Sequence, residues 1–346
     1  MSVKRPWLVP LTPLYILVVV LKRKMYRWGW LRQRQLPAPV ISVGSVSAGG
    51  AGKTPFVVML ASLLERRGYA VSILTRGYGR ASEAVERVEP DGDPIWHGDE
   101  PVLLAQRSHA PVFAASDRYE AGLMAEKEKT WGKIAVHLLD DGFQHLRLAR
   151  NVDIVLLTRE DVEDMPLPAG NLREPLSAVS EADIVVVRDD EVEGLREEID
   201  ALRGDSHEFF LWVIRRSLTL HEGLEYPLPT FPLAFCGIAR PDNFTRMLKS
   251  SRYEPMETMA FPDHHPYSEA DIVRIVEHAK KIGANGFVTT EKDAVKLSPP
   301  LKQRLETIGP LIVARLKTEL VEEKMAVGQL VALAGEMDRR KSRPLR

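Results

Sequence analysis

Several things are scarce in this sequence, and each scarcity excludes something. There is one cysteine, Cys236, among 346 residues. An internal disulfide is therefore impossible, and the chain suits a reducing compartment. Between Phe235 and Gly237, Cys236 reads as a small buried apolar side chain rather than a nucleophile. Net charge is nearly absent, at -1, so no global basic field points to a nucleic-acid partner. Internal repeats and low-complexity tracts are missing. The leading apolar run, Leu14 to Leu21, falls far short of the roughly 20 residues a spanning helix needs. A basic cluster, Lys22-Arg23-Lys24, follows that run where a signal peptide would carry small residues for cleavage.

Acidic residues are also absent locally, since none lies between Lys4 and Arg34. Beyond the apolar run, Tyr26, Trp28 and Trp30 interleave with Arg27, Arg32 and Arg34. Apolar residues, aromatics and cations together predict a segment lying in anionic lipid headgroups. The other reading is a buried helix with a solvated basic end.

With 45% hydrophobic and 27% charged residues, the remainder is an ordinary globular chain with enough length for a sizeable core. After Pro37 and Pro39, short apolar runs that do not alternate predict strands at Val40–Val43, Val71–Leu74, Pro111–Phe113, Ile134–Leu139, Ile154–Leu157 and Ile184–Val187. Such runs belong to parallel strands covered on both faces. Helices are predicted at Thr54–Arg67, Asp99–Arg107 and Asp117–Lys129, with Asp99 and Asp117 as N-terminal caps. The stretch Gly194–Pro232, charged and then proline-rich, reads as a passage to a second lobe. That lobe has strands Leu233–Phe235, Gly286–Thr289 and Leu311–Ala314, helices Ser268–Lys281 and Glu319–Met337, and a frayed basic tail, Arg339–Arg346. The fold class is α/β, a mainly parallel sheet sandwiched by helices. The organisation expected is a membrane-associating helix over 1–36, a P-loop lobe over 37–225 and a smaller α/β lobe over 226–346.

The sharpest local signal is Ser47-Ala48-Gly49-Gly50-Ala51-Gly52-Lys53-Thr54, placed between a predicted strand and a predicted helix. That context is what a P-loop requires. Backbone N–H groups of the glycine-rich turn and the helix N-terminus attract phosphate. Lys53 is suited to the β- and γ-phosphates of ATP, and the Thr54 hydroxyl to Mg²⁺. Ser47 occupies the position where the strict pattern begins with glycine. Membrane ATPases of the MinD/ParA type have a similar loop but carry a further lysine where Ala48 sits, so its absence weighs against an ATPase switch. The strand Ile134–Leu139 runs into Asp140-Asp141, where P-loop enzymes place a Mg²⁺-positioning carboxylate.

Other turns are dense in charge. They are Thr75-Arg76-Gly77-Tyr78-Gly79-Arg80, Gly98-Asp99-Glu100-Pro101, Gly170-Asn171-Leu172-Arg173-Glu174-Pro175, Phe261-Pro262-Asp263-His264-His265 and Thr290-Glu291-Lys292-Asp293. Arg76, Arg80 and Arg173 are candidates for bidentate phosphate contacts. Asp99 is a candidate acceptor for the proton of an attacking hydroxyl, with a histidine partner. Adjacent histidines point apart, and no further His/Cys cluster accompanies His264-His265, which disfavours a zinc site.

Taken together and in order, these segments, with Ser42-Val43-Gly44-Ser45, Asp140-Asp141-Gly142-Phe143-Gln144-His145 and Phe235-Cys236-Gly237-Ile238-Ala239, resemble the tetraacyldisaccharide 4'-kinase family, the lipid A 4'-kinases of outer-membrane bacteria. The match runs from the leader to about Leu297. Asp-Gly-Phe-Gln-His and Phe-Pro-Asp-His-His carry its specificity, and serine in place of the first P-loop glycine is a habit of that family. The resemblance implies ATP and Mg²⁺ in a cleft between two lobes. It implies transfer of the γ-phosphate to the 4'-hydroxyl of an acylated glucosamine disaccharide 1-phosphate, and a helix resting on the cytoplasmic face of the inner membrane. By carry-over, Asp99 receives the hydroxyl proton with His264 or His265 as partner. Asp140, Asp141 and Glu174 become metal-side acids, Arg173 a phosphate contact, and Arg76, Arg80, Gln144 and His145 substrate-binding residues. The competing readings are a P-loop kinase or ligase for a soluble metabolite, in the style of dethiobiotin synthetase, and a nucleotide-switched membrane ATPase.

Overall fold

The computed structural model describes residues 4–128, 132–203, 209–220 and 227–341. The expected lobe boundary at 225/226, and the tail beyond Lys341, lie outside the described residues. Among the described residues, twelve strands form one sheet. In chain order they are β1 Val40–Ser45, β2 Ala70–Thr75, β3 Glu86–Val88, β4 Val112–Ala114, β5 Ala135–Asp140, β6 Val152–Leu156, β7 Ile184–Arg188, β8 Phe210–Thr219, β9 Pro232–Cys236, β10 Glu257–Ala260, β11 Gly286–Thr290 and β12 Leu311–Leu320. Their spatial order is β10-β9-β11-β12-β8-β7-β6-β1-β5-β2-β4-β3.

The absence of alternation in the strand sequences has a direct cause. In β6, Ile154 and Leu156 pack on one face with Phe56, Leu60 and Leu64 of the helix Lys53–Arg66. Val155 and Leu157 pack on the other face with Val179 and Ile199. Both faces are covered, so the run Ile154–Leu157 is apolar throughout. The second half of the sheet repeats the arrangement. Phe235 and Phe287 pack on Ile272 and Ile275, while Cys236 and Val288 meet Phe244 and Leu248. Burial, with Asp293 nearby, pushes the Cys236 thiol up to about 12, which leaves it an inert side chain, as its neighbours suggest.

Every strand pair is parallel except β3 with β4 and β8 with β12. The second exception shapes the molecule. β8 pairs with β7 through Phe210–Ile214, then runs on alone. β12 pairs with β11 through Leu311–Ala314, then runs on as well. The two overhanging ends pair antiparallel, from Arg315 against Thr219 to Leu320 against Ile214. The carboxyl ends of β1, β5, β6 and β7 thus face those of β9 and β11 across this ribbon. Ligand sites of open α/β sheets lie at strand carboxyl ends, and here two sets meet.

Several elements differ from the sequence reading. The passage Gly194–Pro232 contains the helix Arg196–Arg203 and all of β8. The last helix begins at Glu323, because Glu319 still belongs to β12. The leader forms a 3₁₀ turn, Pro6–Leu11, and a helix, Thr12–Arg27. Leu14, Leu17, Val18 and Leu21 make an exposed stripe along that helix, flanked by Trp7, Leu11, Trp28 and Trp30. Thr12 and Arg23 are instead buried against the body. No helix among the described residues is long and apolar enough to cross a membrane.

Gly44 in β1 touches the turn after β5, since a Cβ there would come within 2.5 Å of Phe143 Cβ and 2.8 Å of Phe143 N. Gly328, exposed in the last helix, has nothing within 4 Å. Gly44→Ala is therefore expected to destabilise by about 1–3 kcal/mol, and Gly328→Ala to be neutral or stabilising by up to about 1 kcal/mol. Urea denaturation of the two variants measures the contrast.

Candidate active site

The P-loop sits where β1 ends and the helix Lys53–Arg66 begins. Gly49, Gly50 and Gly52 all have positive φ, at 82°, 77° and 77°, a conformation that side chains resist. Arginine side chains also crowd these positions. A Cβ on Gly50 would strike Arg240, and one on Gly52 would strike Arg216. The Arg216 guanidinium donates to the Ala51 carbonyl, which leaves the loop's inner side open.

Lys53 Nζ donates to Ser45 Oγ at 3.1 Å and stands 3.3 Å from Asp141 Oδ1. Arg173 closes on the same carboxylate with two 2.7 Å bonds. Burial acts against ionisation of Asp141, but Lys53 and Arg173 overcome it and hold its pKa well below the usual carboxylate range. Asp141 occupies a left-handed conformation, φ 49°, which turns it from the strand toward the loop. Asp140 behaves oppositely. Burial, then the neighbouring Glu100 and Asp141 charges, push it up to about 7. Its Oδ2 accepts from Thr75 Oγ1 at 3.2 Å, whereas Oδ1 is buried without a hydrogen-bond partner. A buried carboxylate in that state favours a cation.

Across the cavity, Asp99 opens the helix Asp99–Arg107 behind Gly98. His264 Nδ1 lies 2.9 Å from Asp99 Oδ2 and 3.1 Å from Oδ1. The hydrogen bond that His264 donates to Asp99, stronger than the opposing effect of burial, raises the His264 pKa. Burial raises and the bond to His264 lowers the Asp99 pKa, with a net fall. Tyr78 of the Arg-Gly-Tyr-Gly-Arg turn places its ring 5.5 Å from that of His264. His265 points elsewhere. It stacks on Phe261 at 4.8 Å and contacts Asp271 Oδ2 at 3.1 Å, at the capping box of the helix Glu269–Ile282. Of the two histidines, the structure brings only His264 to Asp99.

The remaining expected residues are dispersed. Arg80 donates to the Ala114 carbonyl at 3.1 Å and fills the space beside Gly77. Arg76 is exposed. Gln144 donates to the Ser45 carbonyl at 3.0 Å, beneath the P-loop. His145 is held down to about 4, by burial first and Arg118 second. Glu174 is buried 2.8 Å from Arg23 of the leader helix. Of the P-loop residues, Ser47 and Ala51 are buried, and the Ala48 N–H donates to the Asn171 carbonyl at 3.1 Å.

A cavity of ≈ 210 Å³ opens between the loop and the second half of the sheet, lined by Lys53, Thr54, His264, Lys292 and the apolar Leu218, Phe244 and Leu316 among others. Further cations gather in and around this cavity. Lys292 is paired with Glu100, Arg240 with Asp161 at 3.2 Å, and Arg118 is buried near Asp140 and Asp141. Only Lys292 stood in a segment dense enough to be noticed. Its neighbour Asp293, fully buried, accepts from Gly237 N, Tyr267 Oη and Thr290 Oγ1 at 3.0, 3.1 and 2.6 Å, and pairs with Lys296 at 2.8 Å. The Gly237 carbonyl in turn takes the His264 N–H at 3.2 Å. Thr-Glu-Lys-Asp thereby fixes the loop that carries His264.

A phosphate cradle, a lysine and two carboxylates at its mouth, and an Asp–His pair across the cleft define a P-loop phosphotransferase. The family model described as tetraacyldisaccharide-1-P 4'-kinase matches residues 4–334. The tetraacyldisaccharide 4'-kinase of Koribacter versatilis is 38% identical over 94% of this chain and 98% of its own length. That of Aquifex aeolicus is 36% identical over 85% and 90%. A crystal structure of LpxK from Aquifex aeolicus in complex with ATP superposes with a TM-score of 0.72 at 32% identity, covering 95% of this chain and 99% of that one. The chain belongs to the tetraacyldisaccharide 4'-kinase family and is a kinase.

Asp293→Ala removes the buried acceptor shared by four partners. We expect a loss of about 3–5 kcal/mol in urea unfolding, and a lower kcat in the fraction that stays folded.

Proposed function

We propose that this chain transfers the γ-phosphate of ATP to the 4'-hydroxyl of a tetraacyldisaccharide 1-phosphate, a lipid A precursor, at the cytoplasmic face of the inner membrane. The observation that carries this reading is the Asp99–His264 pair, held 2.9 Å apart in the cleft opposite a P-loop. An ATPase switch needs the loop but not the pair.

In this reading Lys53 leaves Ser45 and Asp141 to meet the β- and γ-phosphates, and the backbone of Gly49, Gly50 and Gly52 surrounds them. Arg173 places a second positive group at the transferring phosphoryl. Thr54, Asp140 and Asp141 fit Mg²⁺. The unpartnered Asp140 oxygen suits it, and Mg²⁺ is commonly held by one or two carboxylates together with substrate phosphates rather than by a protein cage. When bound there, it neutralises charge that develops on the phosphoryl oxygens. The Asp99–His264 pair accepts the hydroxyl proton, with Asp99 supplying the negative charge that makes the pair basic. Most of the rate enhancement comes from positioning and charge rather than covalent chemistry.

The leader supplies the surface address. Its exposed Leu14, Leu17, Val18 and Leu21 stripe lies between exposed tryptophans, with Lys22, Lys24 and Arg27 also exposed. A stripe of this kind settles into the headgroup region, and its cations favour anionic lipid. With no global basic field, a nucleic-acid partner has no support.

The direct test uses γ-labelled ATP, Mg²⁺ and the acylated disaccharide 1-phosphate in detergent. Label is expected on the lipid with the wild type and not with Lys53→Ala. Label released only as free phosphate would overturn the kinase reading in favour of an ATPase. A pH profile tests the pair. Because Asp99 raises the His264 pKa, the pair holds its proton above the ordinary histidine value of about 6.5. The acid limb of kcat/KM should therefore lie above that value, and Asp99→Asn should shift it downward besides lowering the rate.

A further inference from the structure

The leader is stitched to one loop of the body. Lys4 Nζ stands 3.1 Å from Asp164 Oδ2. The Arg5 backbone N–H donates to the Ala169 carbonyl at 3.0 Å, and its guanidinium to the carbonyls of Pro168 and Gly170 at 3.1 and 3.0 Å. The helix continues the seam. Tyr15 Oη donates to the Arg173 carbonyl at 2.8 Å. Arg23 Nε approaches Glu174 Oε2 to 2.8 Å, with the two side chains 8% and 3% exposed. The Arg23 guanidinium also lies over the Phe143 ring, 4.4 Å from its centre.

These partners are not arbitrary stretches of surface. Arg173 clamps Asp141, which lies 3.3 Å from Lys53. Phe143 precedes Gln144, which holds the Ser45 carbonyl under the P-loop. An anchor held by its apolar stripe needs none of this. Burying an arginine against a carboxylate is a poor route to stability, and breaking one such pair leaves a costly unpaired charge. What such a pair does supply is geometry, fixed at one place.

We propose that the helix Thr12–Arg27 is a positioning element of the active site. Tyr15 holds the Arg173 carbonyl and Arg23 the Glu174 side chain, so that the Arg173 guanidinium and the Asp141 it grips keep their place at the mouth of the P-loop. The inference rests on assigning Lys53, Asp141 and Arg173 to the phosphate site. Seating of the helix then sets turnover, while the exposed stripe on its other face sets membrane affinity.

The experiment compares full-length Tyr15→Phe, Arg23→Gln and Arg23→Lys with wild type and Arg173→Ala. Tyr15→Phe removes one hydroxyl and leaves the packing. Steady-state rates are measured in detergent micelles with the disaccharide lipid. Thermal melting and sedimentation with phosphatidylglycerol vesicles run alongside. For Tyr15→Phe and Arg23→Gln, kcat is expected to fall about 5- to 50-fold while KM for ATP stays within about twofold. Vesicle binding should be unchanged, and the protein folded at the assay temperature. Arg23→Lys, which keeps the charge on Glu174, should recover part of the loss. Wild-type kcat in both variants overturns the proposal, as does a loss confined to vesicle binding. A fall in kcat that merely tracks the unfolded fraction overturns it too. If Arg173→Ala itself keeps wild-type kcat, the phosphate-site assignment has failed and the brace fails with it. An inactive Arg173→Ala beside fully active Tyr15→Phe and Arg23→Gln overturns the brace alone.

Discussion

The antiparallel pairing of β8 with β12 is the constraint on which the rest of the molecule depends. A parallel α/β sheet offers ligands one edge, the carboxyl ends of its strands. Joining two such sheets in parallel would have lengthened that edge into a shelf. Joining them through overhanging antiparallel ends turns the two edges toward each other and makes a cleft. The P-loop and the Asp140-Asp141 turn then stand on one side, and the Phe-Pro-Asp-His-His and Thr-Glu-Lys-Asp segments on the other.

The Asp99–His264 pair follows from that arrangement. Asp99 belongs to the half that carries the P-loop and His264 to the other, 165 positions away in sequence. The 2.9 Å contact exists only when the halves are correctly joined. Asp293 guards the same contact from behind, since it holds Gly237, and Gly237 holds His264. The charged turns converge because each sits at a strand end or a helix start, where unpaired backbone groups and side chains are left to face a ligand.

Much of this was legible in the sequence for identifiable reasons. Strands covered on both faces are mostly apolar without alternation, with exceptions such as Ser42, His137 and Asp153, so β1, β5, β6 and β7 announced themselves. Glycines that must adopt positive φ beside Lys53-Thr54 marked the phosphate loop. β8 escaped because Arg215 and Arg216 interrupt it, and Trp212 and Ile214 are its only buried residues. β3 and β10 are edge strands of three and four residues, too short for any period to show. Arg118, Arg216 and Arg240 escaped for another reason. Their importance lies in what they approach, and no local pattern encodes an approach from a distant element. The choice between His264 and His265 likewise waited on geometry. Adjacent side chains point apart, and only coordinates say which one faces Asp99.

The leader helix wears its polar face inward and its apolar stripe outward, and the consequence is one of timing. Tyr15 and its acceptor on Arg173 are 158 residues apart. At synthesis rates of about 5–20 residues per second, the helix waits about ten to thirty seconds for that partner. Throughout the interval the stripe is already complete, because it needs only local contacts. In the proposed membrane-bound state, a lipid surface would receive the helix before the body exists to seat it. Tyr15 and Arg23 would then wait on the opposite face for residues 164–175 to arrive.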